Sequence, residues 1–210
     1  MARGLPVKKF ILKNVTTSYE GFQELLRLKN ALESAIDVGE KIVDMSRLAW
    51  FEGHKCACLG GLLIYFKSQG LAIFTKPTEI KPNVLSLFKK NGFLALFGQE
   101  RTVDTHGTTI EFKSHKINGS NDFQTYIGKS FSPGSKGLPN MTPRLLKRFR
   151  NHLYEIYLNA VEHAETQQDV FSCGQFFPKK QRLYFCITDL GIGIKENLTR
   201  KIALTLKPRD

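Results

Sequence analysis

The sequence predicts a mixed α/β (α+β) chain: a βαβα domain in the first half, then a partial α/β sandwich in the second. Three observations predict it. Between Lys41 and Phe97, short strand-like runs alternate with longer stretches of helical spacing. Beyond Thr142 a single apolar stripe recurs every three to four residues for about five turns. Between Asp169 and Thr188 two alternating runs flank Pro178-Lys-Lys180, the pattern of a hairpin.

Taken in order, Thr17-Ser-Tyr-Glu20 resembles a capping box, with Glu three residues after Thr. The helix it would open carries Phe22, Leu25, Leu26, Ala31, Leu32, Ala35 and Ile36. Lys41-Ile-Val-Asp-Met-Ser46 reads as a short strand. The apolar stretch from about Lys55 to Gln69 contains Gly60-Gly61 and stops at Gly70. Leu71-Ala-Ile-Phe-Thr75 makes a second strand, ended by Lys76-Pro77, and a helix runs from about Asn83 into Lys89-Lys-Asn-Gly92. Residues 99–141 read as a connecting region with one strand, Thr108–Phe112, and a loop rich in turn formers from Ser130 to Pro139. Thr142 suits an N-cap, and Pro143 at the first helical position forfeits no hydrogen bond. The stripe of that helix is Leu146, Phe149, Leu153, Ile156, Tyr157, Ala160, Val161 and Ala164. In the second arm of the hairpin, Leu183, Phe185 and Ile187 alternate with Tyr184, Cys186 and Thr188, so the two sets face opposite sides. One more helix is expected over about Glu196–Leu206.

Composition sets bounds on function. With 41% hydrophobic and 11% aromatic residues in 210, the chain can bury a core, which excludes a disordered tail. No run approaches the ~18 apolar residues of a bilayer-spanning helix, and the N-terminus lacks the apolar core of a secretory signal. A cytoplasmic protein without membrane contact is expected. The net charge of +12 is spread along the chain, +5 in residues 1–100 and +7 in the remainder. Its densest piece, Arg144 to Arg150, interleaves bases with Leu145, Leu146 and Phe149. That is either a solvated helix face or a patch for phosphates, and nucleic acid stays open as a partner without being favoured.

The cysteines, Cys56, Cys58, Cys173 and Cys186, form no C-x-x-C pair. His54-Lys-Cys56-Ala-Cys58 looks like a ligand cluster, yet no second pair lies nearby in sequence to complete four ligands. Buried small thiols are the expectation, without a disulfide framework.

The strand ending Val43-Asp44-Met45-Ser46, the turn at Phe51-Glu52-Gly53, the following helix and Leu87–Leu94 together resemble a STAS-like domain over about residues 1–98. The resemblance implies a protein-interaction module, acting on a protein partner or through self-association. Members regulated by phosphorylation carry a Ser or Thr where that helix begins. Here the turn reads Glu52-Gly-His-Lys-Cys56, so no phospho-switch is expected there.

The chemistry concentrates further on. Glu155, Asn159, Glu162 and His163 are spaced four, three and one apart, which puts them along one side of the long helix. Carboxylates, an amide and an imidazole on one edge suit acid–base work or a hydrated Mg²⁺; a plain solvent face is the alternative. The hairpin then ends in Asp189-Leu-Gly191-Ile-Gly193. Asp can accept a hydrogen bond from an exocyclic amine, and Gly lets backbone approach a flat ring.

Together, Glu155-x-x-x-Asn159-Ala160-x-x-His163, a hairpin and Asp189-x-Gly191-x-Gly193 resemble the N box and first glycine box of the GHKL ATPase superfamily, whose ATP-binding domain has the Bergerat fold. The group includes gyrase-type ATPases, histidine kinases and anti-sigma-factor serine kinases, and the Glu–Asn–Ala–His spacing is closest to the serine-kinase branch or the hydrolases. The resemblance covers about residues 142–210. It implies ATP and Mg²⁺ as ligands of a bacterial signalling protein, used for protein phosphorylation or a hydrolysis-driven switch. It implies Asn159 on the Mg²⁺, Glu155 as general base, Asp189 on the adenine amino group, Gly191 and Gly193 lining the base pocket, and accessory places for Glu162 and His163. The lid and second glycine box that cradle the phosphates have no counterpart, since no Gly follows Gly193. A truncated form of a longer protein is therefore expected, and the 210 residues alone should be inactive or weakly active. The alternatives are a non-catalytic interaction module whose assembly nucleotide biases and, at lower weight, a nucleic-acid-associated ATPase.

Overall fold

A computed structural model describes residues 7–35, 40–133, 141–163 and 167–192. It is a mixed α/β chain with one parallel and one antiparallel three-stranded sheet.

The parallel sheet is β1 (Lys8–Ile11), β2 (Lys41–Asp44) and β3 (Ile73–Phe74), in that order. Lys8 pairs with Lys41, and Lys41 with Ile73. Parallel neighbours need crossovers, and α1 (Tyr19–Glu33) and α2 (Cys56–Ser68) supply them. The cap of α1 is Ser18, whose hydroxyl accepts from the Gly21 N–H at 3.2 Å; the expected Thr17 does not cap. Thr17 is otherwise engaged, since both its N–H and its hydroxyl donate to the Glu52 carboxylate. After β3, α3 (Pro82–Lys90) starts on its proline and ends at Asn91, where Gly92 takes a left-handed φ of 79°. Phe93–Phe97 continues as a 3₁₀ turn.

The antiparallel sheet is β4 (Thr109–His115), β5 (Val170–Phe177) and β6 (Arg182–Thr188). Its first strand comes from the stretch expected to connect two domains. So does α4 (Ser120–Ser130), a helix that the sequence pattern does not announce. With α5 (Pro143–His163), α4 covers one face of this sheet. The other face receives α2, so the sheet is the central layer between helices.

Two cores result. One lies under α4 and α5 and is built on Ile110, Phe123, Phe131, Leu153, Tyr157 and Val170. There the Phe123 and Tyr157 rings stack at 4.2 Å. The second joins the parallel sheet to the antiparallel one: Leu28, Val43, Leu59, Phe66 and Phe88 share a continuous cluster with Phe112 and Phe171. Gly60-Gly61 makes this contact possible. A Cβ on Gly60 would stand 2.4 Å from the Phe112 ring, and one on Gly61 would stand 2.8 Å from the Phe171 ring. The two glycines thus let α2 lie against the aromatic rings of β4 and β5.

Candidate functional site

α5 and the hairpin carry the residues of the expected site. Thr142 caps α5, its hydroxyl accepting from the Leu145 N–H at 3.3 Å. Leu146, Leu153 and Tyr157 are buried, and Phe149, Ala160 and Val161 pack against the same core. The Tyr157 hydroxyl donates to the Lys116 carbonyl at 2.8 Å, fixing the roll of the helix over β4. With that roll set, Glu155, Asn159, Glu162 and His163 fall on the solvent side, and all four are exposed. Glu155 pairs with His152 at 3.2 Å. Of the basic run, Arg144, Lys147 and Arg148 face water, whereas Arg150 turns inward to donate to the Gly128 and Phe131 carbonyls at the end of α4.

The hairpin keeps the expected faces. Leu183, Phe185 and Ile187 pack into the core beneath α5, while Cys186 and Leu190 pack into the other core. The end of β6 pairs with the start of β5, Thr188 opposite Phe171, and the chain enters β5 a few residues after α5 ends. The end of β6 and the last turns of α5 therefore lie toward one end of the sheet, with Asn159, Glu162 and His163 exposed on the solvent side of the helix. Asp189 is half-buried, and its Oδ1 accepts from the Gly191 N–H at 2.9 Å. Gly193, Ala164 and the helix expected over 196–206 lie outside the described residues.

Along the outer edge of β6 runs a cleft of about 320 Å³. Leu153, Ile156, Phe185 and Ile187 line it from the α5 side. Thr17, His54, Lys55, Tyr184 and Cys186 line it from the other. Ile156, half exposed, thus belongs to the cleft and not to the core.

Sequence patterns alone miss the polar wall of this cleft. The Thr17 hydroxyl sits between the Glu52 carboxylate and His54 Nε2, the latter at 2.8 Å. The His54 ring stacks on Tyr184 at 5.1 Å, and its Nδ1 is buried without a hydrogen-bond partner among the described residues. Burial, reinforced by the Lys55 charge, lowers the His54 pKa to about 4. A hydroxyl, an imidazole and a carboxylate are the ingredients of a nucleophilic site, but their order differs from a relay. The carboxylate binds the hydroxyl, not the second ring nitrogen, so it does not orient the imidazole as a base. The cluster ties the start of α1 to the turn before α2. Its one sequence signal is the Glu52-Gly-His turn, whose partner Thr17 lies 35 residues away.

The four thiols are free, and Cys56 and Cys173 are buried as expected. No group of three His, Cys, Asp or Glu that could hold a metal occurs among the described residues.

No family model, curated protein or solved structure matches this chain. Among the described residues, no helix is long and apolar enough to cross a membrane.

Proposed function

We propose that the chain is an ATP-binding regulatory protein of the GHKL type, with adenine at Asp189 and Mg²⁺-bound phosphates toward the last turns of α5. The reading is supported by the order of the elements: β6, which leads into Asp189, ends beside the start of β5, and the chain enters β5 a few residues after the Asn159–His163 turns of α5. Asp189 Oδ1 accepts from the Gly191 N–H at 2.9 Å, and Oδ2 would be the acceptor for an exocyclic amine. Mg²⁺ asks for few protein ligands when phosphates supply the others, so the side-chain oxygen of Asn159 suffices. Glu155, one turn earlier, is the base for a protein hydroxyl or water; the metal supplies charge neutralisation when bound.

Calorimetric titration of the 210-residue protein with Mg-ATP tests this. Asp189→Asn replaces an acceptor oxygen by a donor and should weaken binding at least tenfold, while Glu155→Ala should leave affinity within about twofold, because a general base acts in the transfer step. A wild-type chain that does not bind Mg-ATP, or an Asp189→Asn variant that binds it equally well, would falsify the assignment.

A second reading, an interaction module biased by nucleotide, is favoured by one contact. The turn that would meet a partner in a STAS-like module is held within the chain, the Gly53 N–H donating to Gln175 Oε1 on β5 at 2.6 Å. A nucleotide-dependent change at the second sheet would then release the turn. Light-scattering mass with and without Mg-ATP should differ under this reading; identical masses at all protein concentrations argue against it.

A further inference from the structure

Four cysteines separated by as many as 130 residues in sequence converge where α2 meets the hairpin. Cys173 and Cys186 are cross-strand partners, and both belong to the side of the sheet that faces α2. Cys56 and Cys58 approach them from the first turn of that helix. The four divide into two unlike pairs. Cys56 and Cys173 are fully buried and share a donor, the Asn91 side-chain amide, at 3.2 and 3.7 Å. Cys58 and Cys186 are only partly buried, their sulfurs stand 3.6 Å apart, and Cys186 lines the cleft along β6.

We propose that Cys58 and Cys186 form a redox site that peroxide oxidises to a disulfide joining α2 to β6. The sulfurs already touch, and closing them to a bond of ~2.05 Å is within reach of side-chain rotation and a small approach of helix to strand. The local field favours a thiolate at Cys58. It occupies the third position of α2, near the positive end of the helix dipole. The hydrogen bond between the two sulfurs lowers its pKa, and the Lys55 charge adds to this against the opposing effect of burial. The shared proton and burial push the Cys186 thiol the other way. One sulfur is thus the nucleophile and its neighbour the resolving thiol.

The steps balance. The Cys58 thiolate attacks one peroxide oxygen, the O–O bond breaks, and hydroxide leaves to take a proton as water. The resulting sulfenic acid is attacked by the Cys186 sulfur, which displaces the oxygen as a second water while the S–S bond forms. Two thiols lose two protons and two electrons, and one peroxide becomes two waters. The bond would fasten the parallel-sheet unit to the strand that leads into Asp189. It closes a loop of 128 residues, which restricts the unfolded chain strongly. The chemistry needs no nucleotide.

Peptide mapping of the wild-type chain decides it. The native protein is treated with a few equivalents of hydrogen peroxide, alkylated, and digested without reductant. The expected product has an intact mass lower by two hydrogens and a dithiothreitol-reversible link between the Cys58 and Cys186 peptides. Cys56 and Cys173 should be alkylated only after unfolding. The oxidised chain should melt at a higher temperature than the reduced one, and Cys58→Ser should abolish both link and shift. Four thiols still titratable after peroxide, a bridge between Cys56 and Cys173, or oxidation of Cys58 beyond sulfenic acid with no link each overturns the proposal. Because the map is made on the wild-type protein, it stands even where the serine variant folds poorly.

Discussion

Two histidines among the described residues are buried, and both are held neutral. His115 is fully buried in the core under α4 and α5, its Nε2 at 2.8 Å from the Ser172 hydroxyl and its ring against Phe123 and Tyr126. Burial lowers its pKa to about 4, although Asp122 at 3.4 Å pulls the other way. His54 is lowered to the same region. In the unfolded chain both would titrate near 6.5, so between about pH 6.5 and 4 the unfolded state binds more protons than the native one. Stability therefore falls as pH drops through that window and is unaffected by these groups above it. Melting temperature measured from about pH 7.5 to 4.5 should decline, steepening below about 6.5, and His115→Gln should flatten part of the slope. A profile indifferent to pH over this range contradicts the neutral burial of both rings. Little of this was legible in the sequence. His54 carries a sequence signal only as part of the apparent ligand cluster with Cys56 and Cys58 and of the Glu52-Gly-His turn, His115 carries none, and what buries each is packing against residues far along the chain, such as Tyr184 for the first and Ser172 for the second.

At the scale of elements, legibility followed the strength of local patterns. The second arm of the hairpin was readable down to which residues share a face, because strict alternation fixes both faces at once, whereas the core that each face meets was not. α5 was readable from its stripe and its Thr142-Pro143 start. α4 was not, since its apolar contacts reduce to Phe123, Tyr126 and Ile127 amid Ser, Asn, Gln and Gly, and its stability comes from tertiary packing. The α1 cap shifted by one residue because Glu52, far along the chain, recruited Thr17. Gly60-Gly61 in α2 is the telling case. Glycine in a helix interior is unfavourable by about 1 kcal/mol relative to alanine, so local propensity alone favours Gly60→Ala. The Phe112 ring at 2.4 Å from the would-be Cβ reverses that sign, since forcing a methyl into a packed aromatic contact costs about 1–3 kcal/mol. Gly60→Ala should lower the denaturation midpoint, and the loss should shrink in a Gly60→Ala/Phe112→Leu double variant, where the smaller side chain makes room. A stabilised Gly60→Ala protein refutes the close approach of α2 to β4.

For the molecule as a whole, the decisive feature is that the core does not stop at the junction between the two sheets. Leu59, Phe66 and Phe93 of the first half share one cluster with Phe112, Phe171 and Cys173 of the second, and the Phe112 and Phe171 rings lie nearly parallel at 6.3 Å between them. A domain that buries its apolar face only against another cannot keep that face when its neighbour unfolds, because exposing apolar surface costs about 25 cal/mol per Å². The two halves should therefore lose structure together. Calorimetry should give one transition whose van't Hoff and calorimetric enthalpies agree, and Phe171→Ala, a change in the hairpin, should lower the melting signal reported by Trp50 in the first half as much as that of the whole chain. Two separated transitions, or a Trp50 signal blind to Phe171→Ala, would mean that the sheets fold as independent units. Under the nucleotide-binding proposal, a single transition would also give a ligand at the end of β6 a packed route to the Glu52–Cys56 turn, since that turn is hydrogen-bonded to β5 and stacked on Tyr184.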